Sequence, residues 1–72
     1  MEVGDLIKIK TLNLEKIEYK DWYQHRNPLP GDIAQVVHYF DDEEPKVQIR
    51  CAPNSEDTGW EILIKVRHLE YE

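Results

Sequence analysis

A small all-β barrel of four to five antiparallel strands, with one long first loop, is the fold this sequence predicts. Three observations predict it. Four short runs, residues 6–10, 33–40, 46–51 and 60–66, are rich in Ile and Val and largely alternate apolar with polar side chains. That is the mark of a strand with one face buried. The stretches between most of them carry turn residues, which suits hairpin-length connections. The chain has 72 residues, enough for one core that buries about 60% of the unfolded chain's surface. Closing the strands into a barrel removes the exposed edges that an open sheet of this size would leave.

The elements follow in order. Gly4-Asp5 turns the chain into the first run, where Ile7 and Ile9 share one face and Lys8 and Lys10 the other. Residues 11–29 lack period-two alternation and end in Asn27-Pro28-Leu29-Pro30, whose prolines hold the backbone extended. The segment therefore reads as a loop, and a loop this long in so short a chain is more often functional than idle. Leu14 and Ile17 lie at helical spacing, which leaves room for a turn or two of helix within it. Pro30-Gly31-Asp32 is a tight turn feeding the run 33–40.

Asp41-Asp42-Glu43-Glu44-Pro45 makes a polar turn, and Pro45 cannot donate to a ladder before the run 46–51. Residues 52–59 are the most turn-like stretch of all and lead into Trp60, Ile62, Ile64 and Val66, which alternate. Arg67-His68 then reads as one tight turn before a short last strand at Leu69-Glu70-Tyr71. No internal repeat or low-complexity segment stands out.

The order of parts resembles the SH3-like small barrels, in particular KOW-type domains and the ferredoxin-docking barrel subunits of photosynthetic complexes. Three stretches carry the resemblance: Val3-Gly4-Asp5 before the first strand, Pro30-Gly31-Asp32-Ile33-Ala34-Gln35-Val36 into the second, and the closing Val66-Arg67-His68-Leu69-Glu70. It implies a barrel fold and a habit of binding, with residues 11–29 in the place of the first variable loop. A KOW-like element carries glycine at Gly31 and again three residues later, where this chain has Ala34. That departure argues against nucleic-acid function.

Charge narrows the partners. The chain carries a net charge of −6, yet the four strand runs (counted to Arg67) hold six Lys or Arg and one acid, and the remainder three bases and fourteen acids. Outward strand faces are thus basic and loops acidic. Lysines on strands also guard edges and acidic turns aid solubility; as a functional arrangement, clustered charge steers a partner. Overall charge opposes direct nucleic-acid binding, whose affinity comes mainly from Lys and Arg. The N-terminus has neither the basic start nor the apolar run of a signal peptide, and no stretch approaches the roughly 18 apolar residues of a membrane span. A cytoplasmic protein without membrane attachment is the expectation.

Tyr19, Trp22, Tyr23, His25 and Arg26 crowd the long loop. Trp, Tyr and Arg dominate binding hot spots, so these five are the candidate partner-binding residues for another protein, although some rings could instead cap the barrel. An alternative site is acidic: Asp41, Asp42, Glu43 and Glu44 with Glu56 and Asp57, which would imitate phosphates or cover a basic site in an inhibitor or immunity-type protein. Those carboxylates lack the spaced oxygens and glycine of a calcium loop. His25, His38, His68 and Cys51 lack the paired short spacings of zinc ligands. Neither a metal nor a cofactor is expected, and no nucleophile motif or phosphate loop marks an enzyme. Cys51 follows Val47 and Ile49 at period two and is expected to be buried, with Arg50 on the opposite face. Trp60 shares the phase of Ile62 and Ile64, which places it in the core or at the barrel mouth.

Overall fold

Two Gly-Asp turns open two of the longest strands, and the sheet is organised around them. The computed structural model describes residues 1–22, 26–51 and 59–72, with the side chain of Trp22 excepted. Strand β1 spans Leu6–Leu12, a single 3-10 turn follows at Leu14–Lys16, and β2 spans Ile17–Trp22. Then come β3 (Ile33–Phe40), β4 (Lys46–Cys51) and β5 (Trp60–Lys65). A second 3-10 turn, Val66–His68, leads to β6 (Leu69–Tyr71). Every pairing is antiparallel and the strand order is β2-β5-β4-β3-β1-β6.

The all-β, barrel-like architecture is the one the alternation predicts, with two corrections. There are six strands rather than four to five, and residues 11–29 are not one loop, because β2 lies inside them. The reason is a bulge. Ile17 pairs with Ile64 but Tyr19 pairs with Leu63, so Glu18 is an extra residue that inverts the phase of the strand. Period-two alternation therefore fails across β2 although Ile, Tyr and Trp all favour strands. The helix permitted near Leu14 amounts to one turn, in which the Asn13 side chain accepts from the Glu15 amide at 3.0 Å.

Bulges also curl the sheet. The start of β1 pairs with β3 and its end with β6, and the register shifts at Lys10 between them. The curl is a half-barrel, with β2 and β6 at its edges. β6 is only three residues long and β2 is bulged and carries Lys20, devices that keep an edge from recruiting another chain. In β3 the extra residue is Val37: Val36 pairs with Ile49 and His38 with Gln48. Before the bulge Ala34 and Val36 face the core. After it Tyr39 takes the inner side, and His38 and Phe40 lie outside.

The core is the inner face of this curl: Ile7, Ile9, Ala34, Val36, Val47, Ile49, Cys51, Trp60, Ile62, Ile64 and Leu69. Trp60 is its largest fully buried side chain. No polar or charged residue belongs to the buried set among the described residues.

The two turns form a short internal repeat that the sequence does not advertise. In Glu2-Val3-Gly4-Asp5 the Asp5 amide donates to the Glu2 carbonyl at 3.0 Å and the Asp5 carboxylate accepts from the Glu2 amide at 2.8 Å. In Leu29-Pro30-Gly31-Asp32 the equivalent bonds are 3.1 and 2.9 Å. Gly4 and Gly31 sit at φ of 95° and 94°, the value a turn of type II demands at its third residue. The strands that follow pair reciprocally. Gly4 donates to the Val36 carbonyl and Val36 to that of Asp5, while Gly31 donates to the Ile9 carbonyl and Ile9 to that of Asp32.

Candidate interaction surface

Strand register determines which side chains share the outer face of the sheet. Across β3, β4, β5 and β2 one row reads His38, Gln48, Leu63, Tyr19, each residue directly opposite the next. Side chains directly opposite have Cβ atoms about 4.5–5.5 Å apart, so this row is a continuous ridge. Tyr19 ends it at 52% exposure. Phe40, two residues along β3 from His38, stacks on its ring with centroids 4.3 Å apart. On one side runs a polar row, Gln35, Arg50, Glu61 and Asp21; on the other Phe40, Lys46 and Lys65. A smaller apolar pair, Leu6 (69% exposed) and Ile33 (51%), lies diagonally across β1 and β3 on the same outer surface.

Of the candidate binding residues, Tyr19 therefore belongs to a strand face rather than a loop tip. Trp22 lies opposite Trp60 in the backbone ladder; its side chain, and Tyr23 and His25, lie outside the described residues. Arg26 precedes the turn at residues 29–32. Its Nη1 donates to Asp32 Oδ2 at 3.0 Å, and it is partly buried.

That same oxygen accepts from the Leu29 amide and from Trp60 Nε1, both at 2.9 Å. Partial burial pushes the Asp32 carboxyl up, but the three donors and the Arg26 charge outweigh it and hold the group below the usual carboxylate range. The carboxylate thus ties the turn at residues 29–32, Arg26 and the buried indole into one latch. Arg26 Nη2 also donates to Cys51 Sγ at 3.7 Å. Cys51 is buried as expected, yet a cation does reach it, from a residue distant in sequence rather than from Arg50. Burial still dominates and pushes the thiol up.

The basic strand faces are laced with glutamates. Lys46 Nζ meets Glu18 Oε1 at 2.9 Å, Lys65 Nζ meets Glu44 Oε2 at 2.6 Å, and Arg67 Nη1 meets Glu44 Oε1 at 3.0 Å. Gln48 Nε2 donates to Glu61 Oε2 at 2.6 Å, beside a longer Arg50–Glu61 contact of 4.0 Å. The hydrogen bond from Lys65 holds the Glu44 carboxyl low, helped by the charge of Arg67. The acidic turn is thereby split: Asp41, Asp42 and Glu43 are exposed, while Glu44 folds back. Glu56 and Asp57 lie outside the described residues.

One surface feature has no counterpart in the sequence reading. A shallow groove of about 590 Å³ runs between residues 11–15 and 67–70, where the two 3-10 turns meet and the Asn13 amide donates to the His68 carbonyl at 3.2 Å. Its lining includes Leu12 and Leu14 with Arg67 and His68. The pairing of Arg67-His68 with a distant leucine pair leaves no local pattern, so only the fold reveals it.

Among the described residues, no group of three or more His, Cys, Asp and Glu is placed to hold a metal ion, and no helix is long and apolar enough to cross a membrane. No family model, curated protein or solved structure matches this chain.

Proposed function

We propose that this protein is a non-enzymatic interaction module or accessory subunit that docks a protein partner on the outer face of β2, β5, β4 and β3. The observation that supports the reading is the ridge of Tyr19, Leu63, Gln48 and His38 with Phe40 stacked at its end. An exposed tyrosine beside an aliphatic neighbour on a rigid sheet supplies contact area at little entropic cost. The resemblance to SH3-like barrels favours a binding role in the same sense, as an analogy of fold.

Chemical cross-linking in source-cell lysate, with the wild-type chain and the Tyr19→Ser, Leu63→Ser double variant as baits, tests it. A cross-linked protein lost with the double variant, while circular dichroism shows an intact sheet, supports the reading; a partner held equally by both baits overturns it.

A second reading rests on the exposed carboxylates of Asp41, Asp42 and Glu43: a small acidic inhibitor that covers a basic site. In that case Asp41→Asn, Asp42→Asn, Glu43→Gln together abolish capture of a basic partner, and moderate salt does the same.

A further inference from the structure

Lys46 and Lys65 stand directly opposite each other on β4 and β5. Like charges in that position repel. Arg67 adds a third cation two residues beyond Lys65, and a cleft of about 250 Å³ opens beside them, lined by Glu43, Glu44, Pro45, Lys65 and Arg67. The arrangement is neutralised from within. Glu44 places one carboxylate oxygen on Lys65 and the other on Arg67, and Glu18 caps Lys46. The turn that carries Glu44 is pinned in place, since the Pro45 carbonyl accepts from the Val66 amide at 2.9 Å.

From this geometry we infer that Lys46, Lys65 and Arg67 form a carboxylate-binding site for an acidic segment of a protein partner, and that Glu44 is its internal placeholder. A carboxylate already spans Lys65 and Arg67 with one oxygen on each, so the site's dimensions suit that group. Glu44 is partly exposed, and exposed ion pairs contribute little net stability, so an incoming carboxylate displaces it at small cost. The site is continuous with the apolar ridge. Phe40 lies opposite Lys46 in the same row, and Leu63 lies two residues before Lys65 on the same face. The partner segment therefore presents carboxylates beside an apolar side chain. This inference rests on the reading of the outer face as a docking surface and names the chemistry of what docks there. Asp42 and Glu43 of the neighbouring turn border these cations and, with the chain's net negative charge, oppose long-range approach, so the contact forms by local complementarity.

The test is an NMR titration of the full chain with an oligoglutamate peptide, with oligolysine and inorganic phosphate as comparison probes. Four proteins are titrated: wild type, Glu44→Gln, the Lys65→Gln, Arg67→Gln double variant, and Glu2→Gln as a control with the same change in net charge far from the site. The expected result is weak binding to wild type with shifts confined to residues around 46, 65 and 67. Affinity should rise at least about threefold in Glu44→Gln relative to Glu2→Gln, and fall about tenfold or more in the double variant. The Glu2→Gln comparison removes the effect of net charge, so the excess rise reports the carboxylate that Glu44 places on Lys65 and Arg67. Equal affinities for Glu44→Gln and Glu2→Gln overturn the placeholder, and shifts spread evenly over all lysines overturn the site. Tighter binding of phosphate than of oligoglutamate overturns the choice of carboxylate. None of these failures touches the docking face itself, which the Tyr19 and Leu63 substitutions judge separately.

Discussion

Asparagine at position 32 keeps the shape of the aspartate while removing its charge and one acceptor oxygen, so Asp32→Asn tests what the carboxylate does for the latch. In the wild type, Oδ2 takes hydrogen bonds from Arg26, the Leu29 amide and Trp60 Nε1 at 3.0, 2.9 and 2.9 Å. A hydrogen bond to a charged group contributes about 1.5–3 kcal/mol, against about 0.5–1.5 for a neutral one. The amide oxygen can still accept, so the loss is about 1 kcal/mol per bond, or about 2–3 kcal/mol in all. For a chain of this length total stability is about 4–11 kcal/mol, and each kcal/mol moves the Tm by about 4–8 °C. Thermal unfolding followed by tryptophan fluorescence should show Tm lowered by roughly 10–20 °C.

The internal repeat supplies the control. Asp5→Asn makes the same change in the equivalent turn, where the carboxylate accepts from the exposed Glu2 amide; its cost should stay at about 0.5–1 kcal/mol, as for a single exposed bond. The pH dependence follows from the depressed Asp32 carboxyl. A lowered folded-state value contributes stability that is complete above the unfolded value of about 3.9 and is lost as pH falls through the folded one. The gap between wild type and Asp32→Asn should thus be full above about pH 4 and narrow below it. A loss under about 0.5 kcal/mol at neutral pH, the ordinary scatter of surface substitutions, would refute the latch. So would equal costs at positions 5 and 32.

Two further outcomes follow. Gly31→Ala meets no atom within 4 Å but forces a side chain onto φ of 94°, so it should destabilise by about 1–2 kcal/mol through backbone strain alone, read as a shift of urea midpoint at unchanged slope. Cys51 is buried with its thiol pushed up, so a thiol reagent at mildly alkaline pH should label it slowly in the native chain and rapidly once unfolded. Fast native labelling would show that the site opens locally without global unfolding.

The strands β4 and β5 were readable in the sequence because each buries one face and turns the other outward without a bulge, which gives clean alternation. β3, β4 and the start of β5 fall where Ile33, Lys46 and Trp60 indicate. The edge strand β2 was not readable, because the bulge at Glu18 reverses its phase midway. Tyr19 was recognisable as a candidate contact aromatic, but its neighbours Leu63, Gln48 and His38 come from three other strands, and only the register brings them together. The same holds for Arg26. Its residue type suggested a binding role, but nothing local announced the ion pair with Asp32, six positions away, that makes it part of the latch. Charge segregation between strands and loops was visible, but not that Glu18, Glu44 and Glu61 would fold back onto the strand cations.

The reciprocal turns also bear on how this chain avoids mispairing. Leu6 and Ile33 are exposed on the outer surface of β1 and β3, so burial alone would penalise a slipped alignment of these strands less than in a sheet with a fully polar exterior. The turns compensate. Each glycine amide closes one end of the β1–β3 ladder, Gly4 at Val36 and Gly31 at Ile9, and a slip in either direction breaks the stops at both ends together. The ribbon is clamped at two points, as a ruler is fixed by pins at either end. Its alignment can therefore be set by local turn chemistry before the rest of the sheet assembles, which leaves the outward side chains at positions 6 and 33 free to vary without loss of register.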